Sequence, residues 1–348
     1  MRRYQPLPPE TADARLIDRV ACELWDVRGS ILVTGAAGFL GSAVCQTFLH
    51  AGFPVVGVDN FDAFYNPGIK RARAARLAAL GPFRLHDVDV RDEHAILQLL
   101  QNAGINAVVH LAALAGVRPS LERPQDYMAV NVQGTANVLD AAIQTGVERV
   151  VFGSSSSVYG ERDRVPFHEN DAADQPVSPY AASKRAGELL AATHWNLYQL
   201  PVACLRFFTL YGPHQRPDLA IATFMERIAR HEAVPVFGRG STSRDYTYID
   251  DAVLGIAAAL GRVRTHRIWN IGSGTPVMLT ELLETLADVT GLPVRLDHQP
   301  ERPGDVTRTF ADLTRARAEL DYQPRTTLAD GLARQWAARE QDRLRRAG

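Results

Sequence analysis

The chain has 348 residues, 38 basic against 39 acidic side chains and a formal net charge of −1, a balance that gives nucleic acid or an anionic membrane nothing to hold. Its length calls for one large α/β domain carrying a lobe, or for two domains. Cys22, Cys45 and Cys204 are scattered without metal-ligand spacing, no apolar run approaches a membrane span and no signal-peptide core follows Met1-Arg2-Arg3, so a cytoplasmic protein with reduced thiols and no metal is expected.

In chain order, residues 1–29 carry Pro6, Pro8 and Pro9 and then a helical stretch at 16–24, expected to be a docked accessory helix. Apolar runs follow at 31–34, 55–59, 84–88, 107–111, 149–153, 202–207 and 268–271. Between them, 38–50, 93–103, 134–145 and 180–198 place apolar residues three and four apart, as crossover helices do. The alternation predicts an α/β fold with a doubly wound parallel sheet, its ligands at the carboxyl edge of the strands. Past Arg206 the pattern loosens into turns such as Tyr211-Gly212-Pro213 and Arg302-Pro303-Gly304, the mark of a smaller lobe. The expected division is an extension at 1–29, a cofactor domain at 30–205 with a returning segment near 245–275, and a substrate-binding α/β lobe at 206–244 and 276–340.

The first turn reads Val33-Thr34-Gly35-Ala36-Ala37-Gly38-Phe39-Leu40-Gly41, between an apolar run and a helical one. Gly35, Gly38 and Gly41 are expected on a strand, a tight turn and the first helical turn, where missing side chains let backbone N–H groups meet a pyrophosphate. Asp59 ends the next strand at the distance expected of an acceptor for an adenosine ribose diol, and its charge repels a 2′-phosphate. NAD is therefore the expected cofactor, on a Rossmann-type sheet.

Tyr180 and Lys184 stand four apart, one helical turn, so a phenol and an ammonium share a face. Making that phenol a base at neutral pH means lowering its pKa by roughly three units, about 4 kcal/mol of preference for the phenolate. Lys184 and an oxidised nicotinamide are the expected sources. Gly153-Ser154-Ser155-Ser156-Ser157-Val158-Tyr159-Gly160 follows an apolar strand, and a serine there can pass a proton between a substrate alcohol and the tyrosine. The plainer alternatives are a solvated helix pair and a serine-rich turn that satisfies its own backbone.

Taken in this order, the glycine turn, Asp59, the serine run and the Tyr180/Lys184 pair resemble the extended short-chain dehydrogenase/reductase family, and within it the nucleotide-sugar 4-epimerases. The resemblance runs from Ser30 to near Trp336. It implies a cofactor site lined by Phe39, Leu40, Asn60, Asp89, Val90, Leu111, Ala112, Ala113 and Asn131, with Ser155 as the catalytic hydroxyl and Ser156 beside it. Arg91 is read as structural. Family members that eliminate water or carbon dioxide carry acidic groups where this chain has Ser156 and Ser157, so the implied 4-keto intermediate takes its hydride back. The implied substrate is a UDP-sugar, with Arg244 and Arg302 on the diphosphate and Asp305 on the ribose.

The segments 60–67, 70–73, 114–120 and 209–220 look like those of UDP-glucuronate 4-epimerases, which implies Arg118, Thr209 and Arg216 around the sugar, the last two near its C6 carboxylate. Arg216 can instead fix its own loop or meet a phosphate. A homodimer through helices 93–103 and 180–198 is also implied. The rival readings are a UDP-glucose or UDP-N-acetylglucosamine 4-epimerase, a nucleotide-sugar dehydratase or decarboxylase, and a non-catalytic NAD-binding protein.

Overall fold

The computed structural model describes residues 13–238, 240, 242–300 and 306–347. Six strands come first: β1 (Ser30–Thr34), β2 (Val55–Asp59), β3 (Phe83–Asp87), β4 (Ile105–His110), β5 (Arg149–Ser155) and β6 (Val202–Phe207). Six shorter or later ones follow: β7 (Thr209–Tyr211), β8 (Val234–Phe237), β9 (Ser243–Tyr248), β10 (Arg267–Ile271), β11 (Pro276–Met278) and β12 (Leu296–Gln299).

A seven-stranded sheet in the order β10-β6-β5-β4-β1-β2-β3 is parallel throughout. Its central strands are apolar on both faces because helices cover both. Ile31, Val33, Val109, Val151 and Leu205 enter one core, and Leu32, Val56, Val108, Val150 and Val202 the other. The order reverses between β1 and β4, and ligands bind such sheets at that crevice. This is the expected α/β, Rossmann-type architecture.

After β6 the chain leaves the sheet. It builds a three-stranded sheet, β11-β9-β7, and a β12-β8 pair over a third core that includes Tyr211, Phe224, Val236, Tyr248 and Leu282. It returns through helix Ile249–Arg262, buried almost along its whole length, and through β10 beside β6.

Local boundaries differ from expectation in three places. β5 runs on to Ser155, so two of the serines are strand residues. β6 covers the expected run 202–207, so the division drawn at 205 falls inside it, and β9, at the start of the expected return, pairs in the smaller sheet. Gly35 lies in the turn after β1 and not on the strand, at φ +70°.

Helix Ala14–Glu23 is capped by the Asp13 carboxylate and buries Leu16 and Val20 against helices Phe39–His50 and Ile249–Arg262. Gly261 lets it approach: a Cβ there would stand 2.0 Å from the Glu23 carbonyl oxygen. Glu23 and Arg262 then pair through both carboxylate oxygens. Pro6, Pro8 and Pro9 lie outside the described residues. Among the described residues no helix is long and apolar enough to cross a membrane.

Candidate active site

The turn after β1 is built for close approach. A Cβ on Gly35 would sit 2.9 Å from the Ala112 nitrogen, and one on Gly41 2.0 Å from the Gly35 oxygen. Helix Phe39–His50 starts at Gly38 with no side-chain cap, so its first-turn N–H groups face outward for an anion. Asp59 accepts from the Ala37 and Phe61 N–H groups at 3.0 and 2.8 Å, with the Lys70 ammonium 3.7 Å away. Asn60 donates to Asp89, whose carboxyl the Arg91 guanidinium holds down at about 2. Arg91 is thereby held on Asp89 by its backbone N–H and its guanidinium. Val90 is buried against Gly134.

Thr34 accepts from the N–H groups of Leu111 and Ala112, which fixes the strip leading to Ala113 beside the glycine turn. Its own hydroxyl therefore donates to His110 Nδ1, leaving Nε2–H for Thr135. Burial and the nearby Lys184 charge hold that imidazole down at about 3, so it stays neutral. A glycine cradle, uncapped amides and an acidic strand end together fit a dinucleotide.

Helix Pro179–Tyr198 begins on the Ser178 cap and puts Tyr180 and Lys184 on the turn facing the end of β5. The Tyr180 phenol lies beside the Ser155 hydroxyl. Ser155 also holds the Ser157 N–H and hydroxyl, while Ser156 opens a short 3₁₀ turn. Lys184 does not do what the spacing suggests. Its Nζ donates to the Gly153 carbonyl at 2.7 Å, and burial holds the ammonium down at about 8. For Tyr180, burial pushes the phenol up, and the pull downward comes from Ser155 and the Arg216 charge. In the protein alone burial prevails.

Asn131, expected on the cofactor, is buried in a π-turn, where it accepts from the Leu114 N–H and donates to the Leu114 carbonyl and to Ser183. Its amide ties the cofactor strip to the catalytic helix from behind. Ser154 and Arg206 hold Glu188 of the same helix, Arg206 through two 2.8 Å contacts.

On the sugar side, Arg216 is gripped by Asp218 at 3.0 and 2.6 Å, donates to the Ala115 carbonyl and lies 4.8 Å over the Phe64 ring. Tyr127 also donates to Ala115 and meets Tyr180 edge-on, so Arg216 stands one residue from the reaction centre. Thr209 is half-buried on β7, and Arg118 lies over Phe237. Arg244 donates to the carbonyls of Ser243, Val306 and Thr307, which puts it at the lobe's edge. Arg302 and Asp305 lie outside the described residues.

Lys70, Arg73, Tyr127 and Asp218 were given no role by sequence reasoning. The signal for the first two was present: they share a three- and four-residue stripe with Ala74 and Leu77, the buried face of helix Pro67–Ala78.

The sheet and this constellation define a dinucleotide-dependent enzyme of the tyrosine–lysine type. The model of the NAD dependent epimerase/dehydratase family matches residues 31–272, and the chain belongs to that family. A UDP-glucuronate 4-epimerase of Thermodesulfobacterium geofontis is 38% identical over 307 residues, 88% of this chain and 94% of that one. The crystal structure of a Bacillus cereus UDP-glucuronic acid 4-epimerase with UDP-glucuronic acid and NAD is similar at TM-score 0.84 and 33% identity, covering 90% of this chain and 99% of that one. A Streptomyces venezuelae dTDP-glucose 4,6-dehydratase is similar at the same TM-score and identity, with 90% and 98% covered. The fold alone therefore does not choose the reaction.

Proposed function

We propose that the chain is an NAD-dependent UDP-glucuronate 4-epimerase, inverting C4 between UDP-glucuronate and UDP-galacturonate. The observation that carries this reading is the meeting of the Ser155–Tyr180 pair with Arg216, on a strand end that offers Ser156 and Ser157 where an eliminating enzyme would need a carboxyl group. Gly35, Gly38, Phe39, Leu40 and Gly41 would hold the dinucleotide's diphosphate, Asp59 its adenosine ribose, and the strip Leu111–Ala113 its flank. When bound, NAD takes hydride from C4 and gives it back.

The chain's own residues manage the proton. Tyr180 accepts the 4-OH proton, directly or through Ser155, and returns it to the C4 oxygen after the sugar has turned its other face to the cofactor site. Lys184 adds positive charge behind Tyr180 while its direct hydrogen bond goes to Gly153. Arg118, Thr209, Arg216 and Arg244, with Arg302 and Asp305, hold the UDP-sugar, so that binding energy far from C4 keeps the ketone in place. Arg216 meets the C6 carboxylate, a charge-assisted contact that a neutral hexose lacks. A homodimer through helices Glu93–Asn102 and Pro179–Tyr198 belongs to the same reading, the latter exposing Leu189 and Leu197.

The purified protein should be incubated separately with UDP-glucuronate, UDP-glucose and UDP-N-acetylglucosamine and the products read by proton NMR, after its size is taken from a sizing column. C4 inversion of UDP-glucuronate with no build-up of NADH is expected, and Tyr180→Phe should abolish it at an unchanged melting temperature. Inversion of the neutral sugars alone would reject the carboxylate role, and loss of carbon dioxide would reject epimerisation.

A further inference from the structure

Helix Pro67–Ala78 begins with Asn66 capping the Gly68 N–H and Pro67 in the first turn. Its Arg73 is 4% exposed. A guanidinium so deep normally faces a carboxylate, because desolvating a lone charge is costly. Here no carboxylate lies within 4.0 Å among the described residues, and Nε is buried with no hydrogen-bond partner. The other nitrogens reach three places. Nη1 donates to Tyr65 Oη at 3.0 Å and to the Ala37 carbonyl, inside the glycine turn, at 3.4 Å. Nη2 donates to the His214 carbonyl at 2.5 Å.

His214 opens the loop that carries Arg216. It is a non-glycine residue at φ +60°, a conformation that needs outside support. The support comes from both sides: Arg73 takes its carbonyl, and Asp342 of helix Leu328–Ala347 takes its imidazole Nδ1 at 3.2 Å. Gln335 of the same helix accepts from the Gly212 N–H.

We propose that Arg73 is a positioning residue that joins the two halves of the site: its charge strengthens the glycine turn's hold on the dinucleotide diphosphate, and its fork sets the loop that presents Arg216 to the sugar. The loop half rests on the reading of Arg216 given above. A buried cation with no carboxylate within 4.0 Å among the described residues, one carbonyl from a diphosphate cradle, is offset by the diphosphate, and three acceptors on separate segments require a planar fork, which a lysine lacks. NAD and UDP-sugar affinities are therefore linked through one side chain.

The test uses the full-length protein as purified, with two readouts: NAD retained per chain after gel filtration, and the dissociation constant of UDP-glucuronate by titration calorimetry. Arg73→Met should lose NAD and weaken UDP-glucuronate by about tenfold or more. Arg73→Lys returns the charge without the fork, so it should regain NAD while UDP-glucuronate stays weak. Asp342→Asn loosens His214 from the far side and should weaken UDP-glucuronate with NAD retention unchanged. Should Arg73→Met fold poorly, the split between the two readouts in Arg73→Lys and Asp342→Asn carries the test. Arg73→Lys matching the parent in both readouts, or losing both alike, would overturn the proposal. NAD retention needs no substrate, so a parent chain that binds UDP-glucuronate but leaves C4 unchanged would sink the epimerase reading and not this one.

Discussion

Tyr180 and Lys184 show how burial and charge compete at single residues. Arg216 lowers the phenol, so removing its charge must raise it. For Arg216→Gln, the acid limb of kcat with UDP-glucose, which needs no carboxylate contact, should move to higher pH; an unmoved limb would show that Tyr180 does not feel that guanidinium. Lys184 titrates at about 8 in the folded chain against an ordinary 10.5. Below pH 8 both states carry the proton and the buried charge costs roughly 3 kcal/mol. Between 8 and 10.5 the folded state sheds the proton while the unfolded state keeps it, so this part of stability rises with pH. Lys184→Met removes the cost, and its stability relative to the parent in urea melts should be highest below pH 8 and fall away by pH 10.5.

At the scale of elements, the glycine turn is a packing problem before it is a binding site. Gly41→Ala would force the start of helix Phe39–His50 away from the Gly35 carbonyl, costing about 1–3 kcal/mol, with a lower melting temperature and loss of retained NAD as the measured signs. The strands were legible in the sequence to within one or two residues, since runs buried on both faces leave continuous apolar text, and helix Gly134–Thr145 matches its expected span. Tyr180, Ser155 and the glycines were legible because each sits at a fixed offset from an element boundary. The partners of Asn131 and Arg73 were not: Ser183 and His214 lie 52 and 141 residues away, beyond any periodicity. Lys184 was found but its partner was not, since the spacing to Tyr180 fixes a helical face and says nothing of a carbonyl on β5.

Across the whole molecule, helix Ala14–Glu23 packs both on the helix that follows the glycine turn and on the helix that brings the chain back to the main sheet. Leu24, just past its end, is fully buried. Leu24→Ala should cost about 2–4 kcal/mol of stability in urea melts and leave the KM for UDP-sugar unchanged. A raised KM would mean that this helix reaches the site through the elements it covers.

The sugar-side lobe is drawn from two stretches, one between β6 and the returning helix and one after β10, and between them the chain comes back to pair β10 with β6 in the main sheet. Anyone exchanging that lobe for one from another family member must therefore cut at three places, after β6, before the returning helix and after β10, and keep the pairing of β6 with β10. A single crossover would leave the hybrid with an outer strand from one parent laid against an inner strand from the other.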